Sequence, residues 1–438
     1  MTLLGGLAVA CAVAGIVLRR PGLRAVALGF GAGVPASAGV VVGPVALSVF
    51  VVVAAVVGCS PGPRIGARLQ DAAVSLLVAF GVVALVVTAV APWVFAGTPV
   101  LEPGKGVDLQ VHAPASLTFT IGNAAQCVYL VTAVAAARFL WRTGTAPIAL
   151  LVAAWTGTVL SAVRGVLRAL ALDRTAWLFD TLGSTYSGEG DTRLRGVFAE
   201  PSELAAFALA VVAFAAVRTV RRADGGHRTA DRVLLVVAGG DLLASASGTA
   251  VVAGCLTAAA LVAVFLVRFV RSGGVHAAPV ALTILAVAFV TVAAGSDALT
   301  PAAEIVGDKL TSQSLDARSA ADAIGMTVLT ATSGFGAGLG SNRSSSFLVT
   351  LLSTTGVTGT VLFLAAVLGL VWRSARTATA APAAAGLFGL LVAKTVSAPD
   401  LSTPLLWVLL GTCVQLGGAR ERLGAMTGDP QKCGMSDK

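Results

Sequence analysis

The chain has 438 residues, of which 56% are hydrophobic and only 12% are charged, and its mean hydropathy is +0.90. These values exclude an ordinary soluble globular domain and indicate an integral membrane protein. The net charge is +9, but the sequence has no basic stretch with interleaved aromatic residues, and this argues against nucleic acid as a partner.

Apolar runs long enough to cross a bilayer as helices recur along nearly the whole chain, and the alternation typical of a membrane β-barrel is lacking. We therefore expect an all-α polytopic membrane protein with about 11–13 transmembrane helices, embedded in the lipid bilayer as a multi-pass protein of the bacterial cytoplasmic membrane. The candidate spans are 3–18, 24–38, 40–58, 72–93, 117–137, 147–170, 203–217, 233–247, 249–267, 279–295, 346–371, 382–398 and 401–417.

The first apolar run is interpreted as a span and not as a signal peptide, because Arg19 and Arg20 follow it instead of preceding it. If the N-terminus lies outside, most of the 30 lysines and arginines fall in cytoplasmic loops, as the positive-inside rule expects. The charge distribution therefore predicts an external N-terminus and a cytoplasmic C-terminus.

The chain is expected to divide into three parts. Residues 1–145 are N-terminal transmembrane helices, residues 146–420 are a transmembrane core, and residues 421–438 are a short cytoplasmic tail. The core contains two long segments that face outside in this topology, 173–202 and 296–345, both rich in ionisable residues. Loops of this length between spans commonly carry function, so any chemistry is expected on the outer side.

Several classes of enzyme lack their sequence signals here. The six cysteines form no C-x-x-C pair and are expected to be packing residues, and the three histidines are widely separated. There is no H-E-x-x-H, P-loop or G-x-S-x-G motif. We therefore expect neither a metal nor a cofactor.

The stretch "LRGVFAEPSELAAF" (194–207) stands at the start of the span 203–217. Pro201 and Glu203 are typical of a helix start, so a capped interfacial helix is one interpretation. Arg193 and Arg195, however, lie on the side where the positive-inside rule disfavours cations. A helix N-terminus beside guanidinium groups also predicts an anion site that suits phosphate or diphosphate.

Two further groups of cations lie near predicted outer ends. Arg164 and Arg168 are four residues apart and share one helix face, where they either snorkel to the interface or face a cavity. The second long loop carries Lys309, Arg318 and Arg343 together with "GFGAGLGSNR" (334–343). The glycines of this run predict either a flexible loop or a nest of backbone N–H groups for an anion, formed by Gly336, Gly338 and Gly340.

Three stretches occur in the order found in the O-antigen polymerase and ligase superfamily. "RLRGVFAEPSELAAFALAVVAF" resembles its motif in which Arg and Gly precede Phe-x-Glu/Asn-Pro-Ser, and "LLASASGTAVVAG" (242–254) resembles its Ser- and Gly-containing short helix pair. The run 316–363 is similar to its large outer loop, with an Arg, a short helix, a Gly-x-Gly-x-Gly turn and a following helix. The resemblance spans about residues 150–420.

This resemblance implies a metal-independent glycosyltransferase that polymerises undecaprenyl-diphosphate-linked oligosaccharides at the outer face of the membrane, with a flippase and a chain-length regulator as partners. By position, Arg195 and Arg318 would hold the diphosphate leaving group, and Arg193, Arg343, Arg164 and Arg168 would support them. Glu200 is a candidate base for the acceptor hydroxyl, although helix capping is an equally good use for it.

Two other functions stay open from the sequence. Ligases of the superfamily transfer finished glycan and carry a His-Asn pair where this chain has Ser345-Ser346, which favours a Wzy-type polymerase. A transporter or flippase of lipid-linked sugars is the rival from another class. It should line its middle with polar groups, and ionisable residues within the spans are few here, chiefly Asp241 and Lys394.

Overall fold

The computed structural model describes residues 1–43, 45–59, 72–102, 114–182, 193–221, 225–272, 313–397 and 400–417. Within these ranges the protein is helical, with two short pairs of antiparallel strands. The helices are α1 (Leu3–Val17), α2 (Pro21–Gly33), α3 (Val49–Gly58), α4 (Ala72–Val94), α5 (Ile121–Thr143), α6 (Ala146–Ala169), α7 (Ala176–Phe179), α8 (Pro201–Arg221), α9 (Gly225–Ala244), α10 (Gly248–Ser272), α11 (Gln313–Ala331), α12 (Phe347–Ala375), α13 (Ala381–Val396) and α14 (Pro404–Gly417). The strands are β1 (Ala38–Val42), β2 (Val45–Ser48), β3 (Pro99–Val100) and β4 (Ala115–Ser116), paired as β1–β2 and β3–β4.

The predicted fold class, an all-α polytopic membrane protein, is confirmed. Among the described residues, α4, α5, α6, α8 and α12 are long and apolar enough to cross a bilayer, and shorter apolar helices accompany them. Most predicted spans correspond to a helix within a few residues at each end. The predicted span 279–295 and the first part of the loop 296–345 lie outside the described residues.

One predicted span is wrong in its first half. Residues 40–58 were expected to form one helix, but the antiparallel hairpin β1–β2 takes the run as far as Ser48. Ser48 then caps α3, because its Oγ accepts a hydrogen bond from the backbone N–H of Val51 at 3.4 Å. Helix α3 therefore has only 10 residues.

Helix α8 lies at the centre of the bundle. It packs against α13, α9 and α10, and nearly all its side chains from Leu204 to Ala216 are buried. Seven of those buried residues are alanines, which allow neighbouring helices to approach closely. The stretch that precedes Pro201 is thereby fixed against the core of the protein.

The end of the bundle that carries Arg195 is here called the Arg195 end. Its loops are joined by hydrogen bonds from Leu182 N to Ala36 O (3.3 Å) and from Leu194 N to Ala244 O (2.9 Å). These are loops that the charge distribution assigns to the outside. The side of the membrane itself stays a prediction.

A buried polar network ties the glycine-rich run 334–343 to the first half of the chain at the same end. The side-chain amide of Asn123 donates to Leu339 O and to Ser341 Oγ, both at 2.7 Å. The backbone N–H of Leu101 donates to Asn342 Oδ1 at 2.9 Å. The ends of α4 and α5 are therefore held by residues more than 200 positions later in the chain.

Candidate functional site

Two of the predicted arginines converge on one carboxylate at the Arg195 end. Arg164, near the end of α6, donates to Asp180 through Nη1 at 2.8 Å and Nη2 at 2.6 Å. Arg195 donates to the same two oxygens through Nη1 at 2.9 Å and Nη2 at 2.5 Å. The side chains of Arg164, Asp180 and Arg195 are only 6%, 8% and 13% exposed. The carboxylate is thus held by four charge-assisted hydrogen bonds in a largely buried place.

A second carboxylate completes this group, which we call the Arg–Asp cluster (Arg164, Asp173, Asp180, Arg195). Arg164 Nε donates to Asp173 Oδ2 at 3.2 Å, and the hydroxyl of Thr175 donates to Asp173 Oδ1 at 2.6 Å. The two guanidinium groups and the two carboxylates have no net charge together. This balance makes the burial of four ionised groups tolerable.

Burial and ion pairing act in opposite directions on the pKa values of these acids. Burial alone would raise the pKa of Asp180, but the hydrogen bonds and charges of Arg164 and Arg195 outweigh it and hold that pKa below its ordinary value. Burial would likewise raise the pKa of Asp173, but the hydrogen bonds from Thr175 and Arg164 outweigh it and lower that pKa. Both acids are therefore ionised at neutral pH.

The local sequence explains how Arg195 reaches the cluster. Gly196 has φ +56°, and a Cβ there would collide with the Ser161 side chain on α6, so only glycine fits this turn. Its carbonyl accepts a hydrogen bond from Arg164 Nη1 at 2.7 Å. Phe198 is buried against Phe207 with ring centroids 4.8 Å apart. The turn and the ring together place Arg195 between α6 and α8.

Glu200 and Glu203 both belong to the start of α8, as the capped-helix interpretation expects. The backbone N–H of Leu204 donates to Glu200 O at 3.2 Å, and the Glu203 carboxylate accepts from the N–H of Ala199 at 3.2 Å. Glu200 Oε2 accepts from the hydroxyl of Ser202 at 3.1 Å. Pro201 occupies the first helical position, where its missing N–H costs nothing.

A partly open cavity of about 210 Å³ lies beside this helix start. Its polar lining consists mainly of Glu203, Lys394, Asp400, Ser402, Thr403 and Tyr129, and we call it the Glu203 cavity. Phe198 and Ala199 also line it, so the segment that carries Arg195 forms one wall. Since the carbonyl of Phe198 accepts from Arg195 Nη1 at 3.2 Å, the cavity and the Arg–Asp cluster are neighbours.

The cavity contains a fully buried lysine. Lys394, in the last turn of α13, has 0% exposure, and its Nζ donates to Thr403 Oγ1 at 2.8 Å. The ammonium lies over the Phe347 ring, 5.1 Å from the centroid, which is within the range of a cation–π contact. Electrostatic attraction links it to Asp400 and to Glu203. This cation is held in place from several sides.

The structure brings some of the other predicted residues to the same region. Arg168 is exposed one turn beyond Arg164, and its Nη1 donates to the carbonyl of Arg193 at 3.0 Å. Arg168 and the backbone of Arg193 therefore help to hold the segment before Gly196 on α6.

Arg318 and Arg343 have different surroundings. Arg318 is exposed on α11, a helix that packs mainly on α12, whereas Arg195 is held by contacts with α6 and its following loop. Arg343 is half-buried, and its backbone N–H donates to Leu101 O at 2.9 Å. Convergence of Arg318 with Arg195 finds no support in the contacts of the described residues.

The glycine run has a packing role. The N–H groups of Gly336, Ala337 and Gly338 donate to Thr332 Oγ1, Ser353 O and Thr354 O at 2.8–3.0 Å. A Cβ at Gly336, Gly338 or Gly340 would press on the backbone of α12, α4 or α5. The expected anion nest is unsupported at 336–338, since these donors are already bonded within the protein.

Five charged residues of this region were not among the sequence-predicted site residues: Asp173, Asp180, Glu203, Lys394 and Asp400. Asp173 and Asp180 could have been suspected, because buried arginines near the end of a span require anionic partners. Lys394 and Asp400 lie about 200 positions after Glu203, and no spacing rule connects them. Glu200, the predicted base, is not part of the cavity lining in the described residues, whereas Glu203 is.

No protein-family model matches the chain, and no curated protein is similar to it in sequence.

Proposed function

We propose that the protein is a membrane glycosyltransferase that polymerises polyprenyl-diphosphate-linked oligosaccharide repeat units. The observation that carries the proposal is the pair of bidentate guanidinium groups, Arg164 and Arg195, on the Asp180 carboxylate beside a polar cavity. Such planar forks match phosphate oxygens as well as carboxylate oxygens. The Asp180 carboxylate thus stands where a phosphate group of the donor would bind.

In this proposal the donor diphosphate takes the place of Asp180 between the two arginines. The acceptor hydroxyl attacks the anomeric carbon of the donor glycan, and the bond from that carbon to the diphosphate oxygen breaks. The electron pair leaves with the diphosphate. Arg164 and Arg195 stabilise the charge that develops there, as oriented cations do at other phosphoryl leaving groups.

The membrane setting also supports the proposal. The Arg–Asp cluster and the Glu203 cavity lie at the end of a bundle of apolar helices, where a lipid-linked substrate can keep its polyprenyl chain in the bilayer. Arg318 enters the proposal only through the sequence resemblance, as a second contact for the diphosphate. Ligase-type transfer of finished glycan uses the same leaving group and differs in its acceptor.

The test is the transfer rate of the purified protein with a polyprenyl-diphosphate-linked oligosaccharide, with product length as the readout. Arg195→Ala should lower the rate about 100–1,000-fold, because it removes one cationic donor to the leaving group. Arg174→Ala, an exposed arginine of the same loop, is the matched control and should leave the rate unchanged. A normal rate and product length for Arg195→Ala would overturn the proposed mechanism.

Product analysis separates the related functions. Cells that carry Arg195→Ala at an unchanged protein level should accumulate single lipid-linked repeat units if the protein is a polymerase. They should accumulate lipid-linked polymer if it is a ligase. A transporter would move the lipid-linked unit across the membrane of a vesicle without lengthening it.

A further inference from the structure

The Glu203 cavity has the composition of a small carbohydrate site. It combines carboxylates (Glu203, Asp400) with hydroxyls (Ser402, Thr403) and aromatic rings that include Phe198. Carboxylates and hydroxyls bind the hydroxyl groups of a sugar, and rings cover its apolar face. The volume of about 210 Å³ is below the range for drug-sized ligands and suits a group as small as one sugar ring.

The position of the cavity relates it to the donor site. Phe198 lines the cavity, and its carbonyl accepts a hydrogen bond from Arg195 of the Arg–Asp cluster. Three residues after Phe198 the chain enters α8, and Glu203 follows in its first turn. One short segment thus places a cation on a leaving group and a carboxylate in the adjacent cavity.

The Lys394 ammonium gives the cavity a fixed arrangement of charge. It is fully buried, donates to Thr403 at 2.8 Å and attracts both Asp400 and Glu203. Glu203 also keeps its contact with the N–H of Ala199 through Oε2, so its second oxygen, Oε1, can accept a further bond. A carboxylate held in this way is oriented and still has an oxygen for an incoming hydroxyl.

We propose that the Glu203 cavity is the acceptor subsite, which binds the terminal sugar ring of the incoming repeat unit, and that Glu203 is the general base for its hydroxyl. This inference rests on the proposed glycosyl transfer and adds the acceptor class and the base. Lys394 is a positioning residue that holds the carboxylates of the cavity.

The proposed step conserves atoms and charge. The acceptor O–H gives its proton to the Glu203 carboxylate while its oxygen forms a bond to the anomeric carbon of the donor. The anomeric carbon loses its bond to the diphosphate oxygen, which departs with the electron pair and its charge. Glu203 then returns the proton to solvent.

The decisive variant is Glu203→Gln, compared with Glu200→Gln. Glutamine still accepts the hydrogen bond from Ala199 N–H, so the start of α8 is preserved, but it cannot take a proton. The turnover number should fall about 100–10,000-fold, with donor-lipid binding unchanged. Glu200→Gln tests the base that the sequence alone suggested: a comparable loss of turnover in Glu200→Gln with normal turnover in Glu203→Gln would overturn the assignment of Glu203.

A second variant tests the cavity without changing its charge. Ala206 is buried, lines the cavity and lies one helical turn after Glu203, so Ala206→Leu fills part of the space. It should raise the KM for the acceptor and leave donor-lipid binding as in the wild type. An unchanged acceptor KM in Ala206→Leu would contradict the assignment of the subsite.

The outcomes separate the two proposals. If the wild type binds the polyprenyl-diphosphate donor and transfers its glycan, and Glu203→Gln does so at the same rate, the inference on Glu203 is overturned and the proposed function stands. If the wild type neither binds the donor nor transfers its glycan, the proposed function falls and this inference falls with it.

Discussion

Asp180 is the residue on which the two central arginines depend. It is 8% exposed and accepts two hydrogen bonds from Arg164 and two from Arg195. Without its charge, two guanidinium groups would face each other in a largely buried place. Removing one partner from a buried ion pair typically costs about 3–5 kcal/mol, so Asp180 is expected to matter for stability as well as for function.

Stability should depend on pH through this residue. The pKa of folded Asp180 lies below the unfolded value of about 3.9, so the folded protein releases this proton more readily than the unfolded chain does. The stabilisation is therefore complete above about pH 5 and is lost as the pH falls through the lowered pKa. The midpoint of thermal unfolding in detergent should therefore decrease as the pH falls below about 4.

Asp180→Asn is the control for this loss of stability at low pH. The variant should unfold at a lower temperature than the wild type at pH 7. Its midpoint of thermal unfolding should decrease less on acidification, because the substituted amide carries no charge to titrate. The remaining decrease would come from Asp173, whose pKa is also lowered. If wild type and Asp180→Asn lost the same number of degrees between about pH 5 and pH 3, the ion pairs would not be the source.

At the scale of residues, the sequence identifies the arginines of the cluster better than the carboxylates that pair with them. Arg195 and Arg164 could be selected because cations on the disfavoured side of a membrane need a reason. Their burial indicates that they need an anionic partner, but the sequence does not identify Asp180 as the carboxylate that both share, since the turn that brings Asp180 to them is not encoded in a spacing. The interpretation of Glu203 as part of a helix start is correct, but its place in a cavity depends on α13 and α14.

At the scale of elements, the apolar runs predict the helices well. Their ends are found within a few residues because hydropathy changes sharply at the edge of a span. The hairpin at 38–48 was missed because a run of valines is as compatible with a strand as with a helix. Only the turn at Gly43, with φ +57°, distinguishes the two.

Helix α12 has a kink that should be sensitive to substitution. Gly356 has φ +69° inside the helix, and a Cβ there would collide with the carbonyl oxygens of Gly334 and Phe335. Gly356→Ala should therefore destabilise the protein by about 2 kcal/mol or more, from backbone strain and the clash. The measurement is the midpoint of thermal unfolding in detergent.

The control for this prediction lies in the same helix. Gly369 is helical, and a Cβ there would meet nothing within 4 Å. Gly369→Ala should be neutral or stabilising by about 0.5–1 kcal/mol. Equal stability changes for Gly356→Ala and Gly369→Ala would contradict the assigned role of the kink.

At the scale of the whole molecule, the charge distribution predicts which end faces outward. Trp177 is exposed at the Arg195 end, and Thr379 is exposed in the turn between α12 and α13 at the opposite end. In a variant with its native cysteines replaced, Trp177→Cys should react with a membrane-impermeable maleimide in intact cells. Thr379→Cys should react only after the cells are permeabilised.

The reverse labelling pattern would place the Arg–Asp cluster in the cytoplasm and contradict a site for outward-facing lipid-linked sugars.

The assembly of the cavity itself could not be predicted from the sequence. Its lining comes from α2, α5, α8, α13 and α14 together with loops between them, and such packing depends on the shapes of buried side chains.

The network around Asn123 also has a consequence for synthesis of the chain. Its amide donates to Leu339, 216 positions later, and at about 5–20 residues per second a ribosome needs roughly 10–40 s to make that length. During this interval α5 has already been synthesised, while the amide still lacks its final acceptor. The start of α5 must therefore stay within reach of water or lipid headgroups until the glycine-rich turn emerges and closes over it.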